Sequence, residues 1–104
     1  MAVTVPEGML EIIKAYLHIT WEDANTELNL IDAIESSVAY LQGIAGVSTI
    51  DFGVNRLARD LLKDRCRYIN SQALEVFEKN FASELMSLHI QSLIDSQPEA
   101  VVEV

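Results

Sequence analysis

VNRLARDLLKDRCRYI, residues 54–69, is the stretch that decides the fold class. At about 100° per residue, Val54, Leu57, Ala58, Leu61, Leu62 and Ile69 fall on one stripe, which is the period of an amphipathic helix. Opposite that stripe, Arg56, Arg59, Lys63 and Arg67 share an arc of about 80°, with Asp60 and Asp64 beside them. Arg65 breaks the pattern, because it projects near the middle of the apolar stripe. Five of the chain's seven Lys and Arg residues thus lie between Arg56 and Arg67, so basic charge is concentrated on one helix.

Working outward, the same period recurs on both sides. Met9, Leu10, Ile12, Ile13, Tyr16 and Leu17 predict a helix over about 7–18, with Pro6 at its opening turn. A second helix is predicted over about 21–42, capped by Thr20 and burying Leu28, Ile31, Ile34, Val38 and Leu41. Gly43 and Gly46 are expected to end it, leaving 43–53 as the longest loop. A fourth helix over about 72–94 is apolar on two sides: Leu74, Phe77, Phe81, Leu85 and Leu88 on one, Val76, Met86, Ile90, Leu93 and Ile94 on the other. A long helix of this kind cannot be wholly buried in so small a domain, so the second side is expected to meet another subunit. The prediction is an all-α bundle of about four helices over residues 1–96, followed by a short tail, 97–104.

Composition narrows the function classes. The 104 residues suffice for one domain, half of them are hydrophobic, and the net charge is −9. Mean hydropathy is +0.20, which together with that charge suggests apolar surface beyond a single core, as in a subunit of an assembly. The acidic balance argues against a module held on DNA by phosphate contacts. No apolar run approaches the roughly 18–20 residues of a transmembrane helix. MAVTVPEGML lacks the basic and apolar regions of a secretory leader, and the single Cys66 fits a reducing compartment.

Sites of chemistry are not evident. No phosphate-binding glycine loop, nucleophile elbow or metal-ligand spacing occurs. His18 and His89 stand apart, with no second His or Cys three or four residues away. Cys66 reads as a buried, inert thiol, and the pairs Glu22–Asp23 and Glu75–Glu78 read as solvated helix faces. The expectation is a protein that is not an enzyme and binds no cofactor or metal. Arg65 is expected to find a carboxylate, with Glu27 or Glu35 as candidates for a buried or interfacial pair. The alternative is snorkelling, with only its stem packed. The strip Arg56, Arg59, Lys63 and Arg67 is either a solvated face, a surface meeting the acidic N-terminal half of another copy, or a contact to DNA.

Three segments together resemble the small head–tail connector (adaptor) proteins of long-tailed bacteriophages. They are MLEIIKAYLHITWED (9–23), LIDAIESSVAYLQGIAG (30–46) and LARDLLKDRCRYINSQALEVFEKNFASELMSLHIQSL (57–93), in the family's order and spacing. The resemblance implies a helical adaptor forming a ring of about twelve copies beneath the portal protein. Such a ring extends the DNA channel and docks a stopper or tail-completion protein, while phage DNA passes without sequence-specific binding. It implies a virion protein, assembled in the host cytoplasm, with no enzymatic activity, cofactor or membrane association. The subunit or partner contacts would be Arg56, Arg59, Lys63 and Arg67 together with Val76, Met86, Ile90 and Leu93. The tail residues Ala100, Val101, Val102, Glu103 and Val104 would add as a strand to the portal, the alternative being an ordinary frayed terminus. A cytoplasmic helical regulator that binds its partner as a dimer is the alternative outside this family.

Overall fold

The computed structural model describes residues 5–95, and among these it is all-α. The elements are α1 (Met9–Tyr16), α2 (Ala24–Ala45), α3 (Arg56–Asn70), a 3₁₀ turn (Leu74–Val76), α4 (Phe77–Asn80) and α5 (Ala82–Asp95). The expected tail at 97–104, with its strand-like ending, lies outside the described residues.

Caps set the boundaries and correct several expected ones. Asp23, not Thr20, caps α2: its carboxylate accepts from the Thr26 amide at 2.9 Å. Asn55 caps α3 by accepting from the Ala58 amide at 3.0 Å, so Val54 falls outside the helix and is exposed. Gly43 continues α2, and Gly46 ends it in the left-handed region at φ 74°. There the Val47 amide reaches back to the Gln42 carbonyl, the 6→1 bond of a Schellman end. The same closure ends α1 and α3, where Ile19 N–H bonds Lys14 O and Ala73 N–H bonds Tyr68 O. At those two ends the left-handed position is held by His18 (φ 61°) and Gln72 (φ 58°) instead of Gly.

The α2 and α3 helices form the central pair. Lys14 and Tyr16 of α1 bond Glu27 and Asp64, at the start of α2 and the later half of α3. His89 and Gln91 of α5 reach Ile44 and Asn55, at the opposite ends of the same helices. The two therefore run antiparallel, with α1 across one end of the pair and α5 across the other. Ile13, Ile34, Leu41, Leu61, Leu62, Phe77 and Leu88 are fully buried between them. Each such side chain contributes about 1.5–3 kcal/mol of burial energy. Leu28, expected in this core, is 62% exposed, because it stands on the side of α2 that carries Asp32 and Glu35.

The expected fourth helix is three elements. Phe81 (φ −115°, ψ 22°) departs from helical geometry between α4 and α5. The i→i−4 bonds Phe81 N–H to Phe77 O and Leu85 N–H to Phe81 O, both 2.9 Å, stand on either side of this departure. The bend lets Phe77 and Phe81 stack at 5.0 Å while each meets Tyr68 edge-on at 5.6 Å. Aromatic packing thus redirects a segment whose apolar period alone would read as one helix.

Candidate functional site

Arg65 is buried, as its place on the α3 stripe demands, with 8% of its surface exposed. Its partners correct the expectation. One terminal nitrogen donates to the hydroxyls of Ser36 (3.1 Å) and Ser37 (3.0 Å), and the guanidinium lies 4.4 Å from the centre of the Tyr40 ring. Neither Glu27 nor Glu35 takes part. Glu27 pairs with Lys14 at 3.1 Å, since the start of α2 lies under α1. Glu35 is one residue before Ser36, a step of about 100° that carries it onto the outer face. The Nε of Arg65 is buried with no acceptor, and burial pulls the guanidinium's pKa down. The nearest compensation comes through Tyr40, whose hydroxyl donates to Glu78 at 2.8 Å. Burial first, and this carboxylate second, push the phenol up to about 12. The network thereby ties α2, α3 and α4 together.

Sequence reasoning missed Ser36, Ser37, Tyr40 and Glu78. One signal was present: Ser37 sits among Ile34, Val38 and Leu41 on the buried side of α2, as Arg65 sits on that of α3. Two polar residues that each interrupt a facing apolar stripe are natural partners for one another. Cys66, fully buried, lies 3.8 Å from the same Ser37 hydroxyl, and burial raises its thiol from 9.0 to about 11.

The basic strip divides into two halves. Lys63 lies 4.7 Å above the Tyr16 ring, and Arg67 pairs with Asp64 at 3.4 Å while covering the Tyr68 ring at 5.0 Å. Tyr16 donates its hydroxyl to Asp64, and that hydrogen bond, with burial, raises the phenol's pKa. This half of the strip is internal cement between α1 and α3. Arg56 and Arg59 differ, since among the described residues neither has a carboxylate within ion-pair distance. The first turn of α3 also carries no acid, so two cations sit at the positive end of a helix dipole.

The two-sided character of the last helix is retained in α5. Leu85 and Leu88 are buried against α2 and α3, whereas Met86 (57%), Ile90 (47%), Leu93 (49%) and Ile94 (66%) stay exposed, with Val76 exposed nearby in sequence. Trp21 stands at the rim of a cleft of about 520 Å³ that is shared by the α1–α2 loop, α2 and the end of α3. Among the described residues no three His, Cys, Asp or Glu side chains are placed to hold a metal ion, and no helix is long and apolar enough to cross a membrane. The tail residues Ala100, Val101, Val102, Glu103 and Val104 lie outside the described residues.

Comparison of the chain with protein-family models, with curated proteins and with solved structures found no match. The functional reading therefore rests on the chain's own surfaces and on the resemblance of its segments.

Proposed function

We propose that this chain is a head–tail connector (adaptor) of a tailed phage or prophage. Copies form a ring on the portal protein, extend the DNA channel and dock the next connector or stopper protein. The observation that carries the reading is the outer face of α5. Met86, Ile90, Leu93 and Ile94 stand at i, i+4, i+7 and i+8, one face of a helix already packed by its other side. Such a face suits a protein that works by being covered. The order of the three resembling segments supports the phage assignment, and the division into acidic and basic surfaces supports repeated copies meeting one another. In this reading the chain works by protein contacts, without cofactor or catalysis. It is made in the host cytoplasm and ends in the virion, and DNA passes through its ring without being read.

The test is the mass of the purified chain with and without the portal protein of the same phage. The expected result is a ring-sized complex that forms only with portal. A stable free dimer that ignores portal would overturn the proposal and leave a dimeric helical regulator as the better account, since the outer face of α5 can also pair with its own copy.

A further inference from the structure

The outer faces of the central helices carry opposite charge and lie on opposite flanks of the molecule. Between Lys14 and Arg56 the chain has the carboxylates Glu22, Asp23, Glu27, Asp32, Glu35 and Asp51 and no Lys or Arg. Glu27 is neutralised by Lys14. Asp32 and Glu35 are exposed on α2, in one outward stripe with Leu28 and Ala39, and among the described residues neither has an ion-pair partner. Their counterpart is Arg56 and Arg59 on α3. Lys63 and Arg67 are committed inside the chain, so these two arginines are the free cations of the strip.

Orientation follows from the helical period. Ser37 faces α3, as its contacts with Arg65 and Cys66 show, and Glu35 is two residues away, about 200° round α2. Arg65 faces α2, and Arg56 is nine residues away, about 180° round α3. Glu35 and Arg56 therefore point away from each other, and Asp32 and Arg59, about 140° and 120° round from the same contacts, flank them on the outer sides, so the acids and the arginines do not meet within one chain. Spacing matches as well. Asp32–Glu35 and Arg56–Arg59 are both i,i+3 pairs, each rising about 4.5 Å along its axis. Leu28 offers an apolar contact beside the acids, and Ala39 allows the helices to approach closely.

We infer that the occupant of each face is a second copy of this chain: the Asp32–Glu35 face of α2 receives Arg56 and Arg59 of the next copy. Two different surfaces on opposite flanks make a head-to-tail contact, which propagates around a closed ring or along a filament. A net charge of −9 disfavours unspecific self-association, so contact between copies requires that the few free cations be aimed. The inference rests on the ring reading and names the faces that build the ring. Duplex DNA, the other polyanion Arg56 and Arg59 could meet, would leave the acidic stripe of α2 without a partner.

The experiment uses the full chain and a pair of charge-reversed variants, R56E/R59E and D32R/E35R. Assembly is followed by sedimentation of each protein on portal rings. Each variant alone should lose association by about a hundredfold, the order expected when two close charge pairs become repulsive. An equimolar mixture of the two should recover it, because every contact is again between opposite charges. Glutamate in the first turn of α3 also favours the helix dipole, so R56E/R59E should melt no lower than wild type. Loss of assembly then cannot be assigned to unfolding. Failure of the mixture to recover assembly would overturn the inference. So would normal assembly of both variants, which leaves the ring itself standing. So would normal assembly of R56E/R59E with loss of DNA binding alone, which assigns the arginines to DNA. If wild type forms no ring on portal, the ring reading falls, and the inference falls with it.

Discussion

Cys66 shows how a single side chain records its surroundings. It is fully buried, and that burial pushes its thiol up from 9.0 to about 11. A group with a raised folded pKa stabilises the fold below its unfolded value and loses that contribution as pH climbs through its folded one. The gap in urea midpoint between wild type and Cys66→Ala should therefore be constant up to about pH 9.0 and shrink towards pH 11. A gap that stays constant over that range would mean that the thiol ionises alike in both states. Burial of Cys66 and of Arg65 was legible in the sequence, because both lie on or beside the apolar stripe of α3. The partner of Arg65 was not. An ion-pair rule points to carboxylates of the neighbouring helix, Glu27 and Glu35, but the rotation of α2 delivers Ser36, Ser37 and the Tyr40 ring instead. Hydroxyls and a ring face solvate a guanidinium more weakly than a carboxylate does, which fits the buried Nε left without an acceptor.

At the scale of elements, caps and closures hold information that periodicity does not. Helices α1, α2 and α3 were legible to within a few residues, since a stripe of apolar side chains identifies a helix but leaves its ends loose. Asp23, Asn55 and Gly46 set those ends by side-chain or left-handed geometry. The two closures without glycine are a local cost: His18 and Gln72 hold a conformation that is unfavourable by about 1–2 kcal/mol for an L residue. Gln72→Gly should relieve part of that strain and raise stability by about 0.5–1 kcal/mol, measured by urea unfolding. A loss of stability would show that the Gln72 side chain, which lines the cleft beside Trp21, makes contacts worth more than the strain. The bend at Phe81 had no sequence signal, because it goes with the stacking of Phe77 on Phe81 and with Tyr68 from another helix.

At the scale of the whole molecule, α5 separates what holds the chain together from what the chain offers outward. Ile90→Asp should leave stability within about 0.5 kcal/mol, the usual range for surface positions, and should abolish assembly on portal. Leu88→Ala, on the opposite side of the same helix, should cost about 2–5 kcal/mol by leaving a cavity. Thermal melts together with sedimentation of both variants check the contrast. An Ile90→Asp chain that assembles normally would remove the outer face of α5 from the interface.

Taken by itself, the sequence determined the all-α class, the approximate position of the first three helices, and the presence of a helical segment with a second apolar side. Those properties follow from period and composition, which act over a few turns of one segment. Only the tertiary structure decided which carboxylates are spent inside the chain, which cations remain free, and which way the charged faces of α2 and α3 point. These depend on the rotation of one helix against another, to which residues distant in sequence contribute. Lys14 reaches Glu27, Tyr16 reaches Asp64, and Ser37 reaches Arg65, and these contacts leave Arg56, Arg59, Asp32 and Glu35 facing outward.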